Sequence, residues 1–174
     1  MPSGHAARMV RPYLALLALL SSAGFAVAQP ASLANELVGT WTLVAVDNLL
    51  PDGGRVHLYR PEPQGILTFD AEGRYALQIY RAERPKFASG DKSKATAEEN
   101  RAAMLGSNAH FGRYVVNAAD RSITFHIEHA SFPNWNGIDQ KRSFSLAGGL
   151  RSYTVPAPTS GTSVTGEVVW ARAN

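Results

Sequence analysis

The 174-residue chain contains no cysteine. This absence excludes a disulfide framework, a thiol nucleophile and a zinc site built on thiolates. It also excludes the attachment of a lipid to an N-terminal cysteine. A folded domain must therefore be stabilised by its hydrophobic core alone, and a domain of about 150 residues buries enough surface for that.

Long hydrophobic runs are scarce too, with one exception near the N-terminus. Tyr13–Leu20 is apolar throughout, follows Arg8 and Arg11, and precedes a stretch of small residues. This order is typical of a secretory signal peptide, and the apolar run is shorter than the roughly 20 residues of a membrane-spanning helix. We predict a signal peptide over Met1–Ala28, a single domain over 29–174, and a periplasmic or secreted protein. An uncleaved N-terminal anchor is the alternative.

An excess of charge of one sign is also missing once that segment is set aside. Met1–Ala28 holds two Arg and no acid, so 15 basic and 14 acidic residues remain, with a net charge of +1. A domain this close to neutrality is not typical of proteins that bind nucleic acid or anionic membranes. We expect no nucleic-acid partner and no membrane anchor after cleavage.

The rest of the chain alternates apolar and polar residues, which is the period of β-strands. Turn residues predict three hairpins, closed by Asp70–Gly73, Asn117–Arg121 and Ala147–Gly149. One short helix is predicted near 96–105, because Thr96-Ala97-Glu98-Glu99 has the spacing of a capping box. The predicted strands are 37–46, 55–59, 65–69, 74–80, 111–116, 122–129, 140–146, 150–155 and 163–173.

About eight to ten strands joined mostly by tight turns predict an all-β, antiparallel meander. Closing such a sheet into an up-and-down barrel removes its exposed edges. A β-sandwich is the alternative, because periodicity alone does not separate the two.

The first and last strands resemble those of lipocalins. Gly39-Thr40-Trp41 matches their G-x-W motif, and Arg172 lies where they carry an arginine near the end of the last strand. The resemblance implies that Arg172 packs across Trp41 and seals one end of the barrel. A guanidinium over an indole stabilises by about 0.5–2 kcal/mol.

Motifs in the middle of the chain resemble the bacterial and fungal lipocalin-like domain family over nearly the whole predicted domain. Some relatives in biosynthetic pathways are regarded as cyclases or isomerases, so the resemblance implies the fold more firmly than an activity. The matching segments are Phe69–Tyr75, Arg84–Phe87, Glu98–Glu99, Phe111–Tyr114, Thr124–Glu128, Phe132–Gly137 and Gln140–Arg142.

One polar strand face is a candidate for chemistry. Alternation places His126 and Glu128 on the same face, and a carboxylate orients an imidazole for proton transfer. Arg142 on the next strand and Tyr114 on the preceding one complete a polar cluster if that face points into the barrel. If the face points outward, the same residues form a surface ladder. The sequence leaves both directions open.

Other candidate ligand-binding residues lie at strand ends. Trp135, in an unusually apolar connection, is predicted either to cover the barrel mouth or to pack in a small satellite core. Gln78 and Tyr80 end a strand before the long segment 82–106 and are predicted to line the mouth or to face solvent.

No metal site and no cofactor are expected. His126 and His129 lie three apart on a strand and point to opposite faces, and His57 and His110 have no partner at ligand spacing. The sequence has no phosphate-binding glycine loop, nucleophile elbow or dinucleotide fingerprint.

The sequence supports three hypotheses of function. The first is an exported barrel that binds a small, mostly apolar or carboxylate-bearing molecule. The second is a cofactor-independent isomerase, cyclase or lyase that uses His126 with Glu128. The third is an envelope protein with a structural or interaction role and no ligand.

Overall fold

Nine antiparallel strands form one sheet in the computed structural model, which describes residues 32–59, 62–147, 150–156 and 165–173. The predicted signal peptide lies outside the described residues. Each strand pairs with the next along most of the chain, and β1 also pairs with β9, which closes the barrel. The strands are β1 (Gly39–Leu49), β2 (Arg55–His57), β3 (Gln64–Phe69), β4 (Arg74–Tyr80), β5 (Ser107–Asn117), β6 (Ser122–Ala130), β7 (Asp139–Ala147), β8 (Leu150–Pro156) and β9 (Thr165–Arg172).

The barrel itself has eight strands, because β2 is a short addition beside β1. Strand β9 pairs with β1 from Trp41 to Leu49 and occupies that edge. Strands β3 and β2 therefore share the other edge, β3 at Gly39–Thr42 and β2 at Asp47–Leu49. The predicted closed, lipocalin-like barrel is confirmed.

The short predicted helix is present as α2, which follows α1 (Leu33–Leu37) and spans Ala97–Leu105. Thr96 Oγ1 accepts a hydrogen bond from the Glu99 amide, and the Glu99 carboxylate accepts one from the Thr96 amide. The two bonds satisfy free amides at the helix start, as a capping box does. The largest differences from the predicted bounds are at β1 and β5: Leu37 ends α1 instead of opening β1, β1 continues to Leu49 rather than to 46, and β5 begins at Ser107 rather than at 111.

The end of the barrel that holds the β3–β4 and β5–β6 hairpins is closed. The Arg172 guanidinium lies 4.4 Å from the centre of the Trp41 ring and donates to the carbonyl oxygens of Val38 and Glu36. The Trp41 indole donates to the Leu37 carbonyl oxygen at 2.9 Å. The predicted end seal is therefore present, and α1 is part of it.

Aromatic side chains fill the barrel next to this closed end. Phe69 and Tyr114 have ring centres 4.7 Å apart, and so do Tyr75 and Phe125. All four side chains are buried. The opposite end, where β4 leads into the long segment before β5 and β6 leads into the Trp135 connection, is the mouth.

Candidate functional site

The mouth half of the barrel contains a cavity of about 310 Å³. Its walls combine nine apolar side chains with polar residues from β1, β5, β7 and β9. The volume is at the lower end of the range for small-molecule sites. The apolar lining residues are Val46, Leu58, Tyr59, Leu77, Ile79, Trp135, Tyr153, Val155 and Val168.

Arg142 supplies the charge inside the barrel. It belongs to the inner face of β7, and only 7% of its surface is exposed. Its guanidinium donates to the Gln140 side-chain oxygen and lies 5.8 Å from the centre of the Tyr153 ring. Burial lowers the pKa of Arg142, and the neighbouring Tyr153 and Tyr75 act in the opposite direction. An arginine nevertheless stays protonated in proteins, so the cavity has a fixed positive charge.

His110 and Tyr75 form a hydrogen-bonded pair on the wall formed by β4 and β5. The Tyr75 hydroxyl lies 2.8 Å from His110 Nδ1, and both side chains are buried. Burial, assisted by the charge of Arg142, lowers the pKa of His110 to about 3. Burial also raises the pKa of the Tyr75 hydroxyl. Both groups are therefore neutral at physiological pH.

Trp135 covers the wall next to His110. It lies in a 3₁₀ turn over Pro133–Trp135, and its ring meets the His110 ring edge-on with centres 5.8 Å apart. Phe132 packs against the other side of the indole at 5.7 Å. The apolar connection between β6 and β7 is therefore folded against the mouth.

Carboxylates at the rim of the cavity are already paired with other groups. Asp47 contacts His57 Nδ1 at 2.7 Å and Arg55 at 3.2 Å, and Arg55 also contacts Glu167. Asp139 contacts the His126 ring at 2.6 Å. Among the described residues, no carboxylate forms an ion pair with Arg142.

A protein-family model for the lipocalin-like domain matches residues 38–173. The chain belongs to the lipocalin-like domain family. A search of curated proteins returned no match. The resemblance predicted from the sequence motifs is confirmed.

Two of the predicted site residues of this lipocalin-like barrel line the cavity: Trp135 and Arg142. Tyr80 ends β4 at the mouth, where the Arg84 guanidinium lies 4.5 Å from its ring centre. Gln78 is exposed on the outer face of β4. Tyr114 is on the inner face but at the closed end, where its hydroxyl donates to the Asp70 carbonyl oxygen at 2.8 Å.

The interior His/Glu/Arg/Tyr cluster is not formed. His126 and Glu128 point outward, because Phe125 and Ile127 from the same strand fill the core. The carboxylate of Glu128 pairs with Arg74 at 3.0 Å on the outer surface. Arg142 is opposite Ile123 in the β6–β7 register and shares its inward direction, so it lies on the other side of the sheet from His126.

His110, Tyr75 and Asn48 are buried polar residues that were not predicted as site residues, and His110 and Asn48 line the cavity. Spacing on β5 contained the signal, because His110, Gly112 and Tyr114 alternate with exposed residues and share the inner face. His110 was not predicted as a site residue, because no second potential ligand lies at metal-ligand spacing from it in the sequence. Within the described ranges, no group of three or more His, Cys, Asp or Glu side chains is placed to hold a metal ion. None of the described helices is long and apolar enough to span a bilayer.

Proposed function

We propose that this lipocalin-like barrel binds a small, mostly apolar molecule in the mouth-half cavity. The observation that carries the proposal is the cavity of about 310 Å³, whose lining combines nine apolar side chains with polar residues from four strands. Concave sites that combine apolar walls with placed polar groups are typical of small-molecule binding. The polar residues suit a ligand with one polar end, either uncharged or a carboxylate.

Binding is favoured over proton-transfer catalysis by the chemistry of the interior. The catalytic hypothesis required His126 next to the ligand, and that ring lies on the outer face beside Asp139. His110 is inside, but a pKa of about 3 makes it a very weak base at neutral pH. A buried neutral imidazole is better suited to hold a ligand through a hydrogen bond than to remove a proton from it.

The proposal is tested with the uncharged dye Prodan, whose emission shifts to shorter wavelength in an apolar site. Val168 lines the cavity, and its neighbour Val169 does not. We expect Val168→Trp to fill the cavity and to abolish the emission shift. The matched variant Val169→Trp should retain it. Absence of a shift with the unmodified protein, or its persistence in Val168→Trp, would contradict the proposal and favour a role without a ligand.

Export to the periplasm or the medium is a separate part of the proposal. It rests on the order of basic, apolar and small residues in Met1–Ala28. Mass spectrometry of the protein purified from the producing cells should find a mature N-terminus at Gln29. Retention of Met1–Ala28 in the mature protein would contradict it.

A further inference from the structure

Among the described residues, Arg142 is a buried cationic side chain of the barrel interior that has no acidic partner. Arg142 is 93% withdrawn from solvent, since only 7% of it is exposed. Its polar contact is with the neutral Gln140, and its nearest electrostatic neighbours are two tyrosines and His110. A buried charge is costly unless it is paired, so this arrangement is unusual for a purely structural arginine.

Arg142 has no ion-pair partner among the described residues. His110 and Tyr75 are both uncharged at physiological pH because burial disfavours their ionised forms. The carboxylates in the cavity lining, Asp47, Glu167 and Asp139, contact other groups, and so does the Lys141 ammonium. Arg142 is therefore the charged side chain of the described lining that is left to pair with a ligand.

His110 adds a second donor. The Tyr75 hydroxyl lies 2.8 Å from His110 Nδ1, and a neutral imidazole has one N–H. In the tautomer that has this proton on Nε2, the Tyr75 hydroxyl donates to Nδ1 and Nε2 is the donor that remains. His110 and Arg142 line the same cavity.

On this basis we propose that the ligand is an apolar monocarboxylate whose head group is bound by Arg142 and by His110 Nε2. This inference rests on the proposed binding function and names the class of its ligand. A planar guanidinium matches a carboxylate through two parallel hydrogen bonds. One fixed positive charge is balanced by one carboxylate, whereas a phosphate monoester has a charge of about −1.5 to −2 at neutral pH.

Three probes with the same chain test the class: decanoate, decanol and decyl phosphate, each titrated into the full-length protein by calorimetry. We expect decanoate to bind about tenfold or more tightly than decanol, as a charge-assisted hydrogen bond implies. Equal affinity for decanoate and decanol would overturn the inference and leave the proposed function standing. Binding of decyl phosphate as tight as that of decanoate would overturn the choice of a carboxylate. Binding of none of the three would contradict the proposed function itself.

Two variants test whether Arg142 is responsible for the preference for decanoate over decanol. Arg142→Gln should lower the affinity for decanoate by about tenfold or more and change that for decanol by less than about twofold. Arg113→Gln removes the same charge from the exposed outer face of β5 and should change neither affinity. An equal loss in both variants would overturn the inference. The comparison of decanoate with decanol in the unmodified protein decides the matter if Arg142→Gln does not fold.

Discussion

Arg172 and Trp41 face each other across the β1–β9 pair, and their contact links the first strand of the barrel to the last. They are direct partners in the register, with the guanidinium 4.4 Å from the indole centre. Gly39 makes the contact possible. A Cβ atom at Gly39 would lie 2.8 Å from the guanidinium Nη1, and the φ of +127° is one that other residues rarely adopt. The barrel is thus closed by a glycine, an indole and an arginine acting together.

The first prediction concerns this seal. Replacing Arg172 by Ala removes the cation–π contact and two hydrogen bonds to carbonyl oxygens, and we expect a loss of about 1–2 kcal/mol in the free energy of unfolding. Arg172→Lys should recover only part of the loss, because an ammonium lacks the planar fork. Urea denaturation measures both. Arg113→Ala, on the exposed face of β5, should change stability by less than about 0.5 kcal/mol, and an equal loss there would contradict the prediction.

The second prediction concerns the pH dependence of stability through His110. Its pKa falls from 6.5 to about 3 on folding, so between these values the unfolded chain takes up a proton that the folded chain does not. The stabilisation is complete above about pH 6.5 and is lost as the pH falls toward about 3, with a slope of at most about 1.4 kcal/mol per pH unit.

Urea denaturation from about pH 7 to about pH 4 measures that slope. Other groups titrate in the same range, so the informative quantity is the difference between the unmodified protein and His110→Gln. The variant should have a shallower pH dependence. Gln78→Ala, which changes an exposed residue that does not titrate, should leave the slope nearly unchanged. Identical slopes in the unmodified protein and His110→Gln would contradict the prediction.

Local sequence signals predicted most of the strands and α2, and the resemblance of the first and last strands to lipocalins favoured the closed barrel over a sandwich. Alternation located the strands, Asp70–Gly73 located a hairpin, and the Thr96/Glu99 spacing located α2. Each of these signals acts within a few residues. Helix α1 was not predicted, because Leu33–Leu37 is only five residues long and merges with the apolar pattern of β1.

The interior site was predicted only in part, because it depends on which face of each strand points inward. Arg142 shares its face with Phe144, and His126 shares its face with Thr124 while Phe125 lies opposite. Read strand by strand, alternation already sends Arg142 inward and His126 outward. An interior cluster of His126 with Arg142 would have required β6 to turn its polar face inward. At the same time β7 would have had to turn inward the face that Arg142 shares with Phe144. The pairing of His110 with Tyr75 joins residues 35 apart and depends on the β4–β5 register, which the sequence does not specify.

The third prediction tests the outward direction of His126. Its side chain is 42% exposed and its partner Asp139 is 63% exposed, so the contact between them is accessible to solvent. Even charged pairs at such exposed positions contribute only about 0–1 kcal/mol. We expect His126→Ala to lower stability by no more than that and to leave the Prodan emission shift unchanged. Loss of the shift in His126→Ala, with the fold retained by near-ultraviolet circular dichroism, would restore the hypothesis that this histidine serves the ligand.

The fourth prediction concerns Gly112, which lies at an irregularity in the β5–β6 pairing. Phe111 pairs with His129 and Gly112 with Ile127, so β6 has an extra residue at this point. The two backbones approach closely here. A Cβ atom at Gly112 would lie 2.1 Å from the His126 carbonyl oxygen and 2.9 Å from the Glu128 amide nitrogen. Both are main-chain atoms of β6, so relieving the contact requires the strand itself to shift.

Gly112→Ala should therefore cost about 3 kcal/mol or more, in the range of overpacked cores and strained backbones. Gly53→Ala is the matched control, because its Cβ would meet nothing within 4 Å and only its φ of +85° is unfavourable. That backbone strain costs about 1–2 kcal/mol. Urea denaturation of both variants separates close approach from backbone strain. A loss in Gly112→Ala no larger than that in Gly53→Ala would mean that β5 and β6 separate readily at the bulge, and the wall that holds His110 would then be less rigid than its contacts indicate.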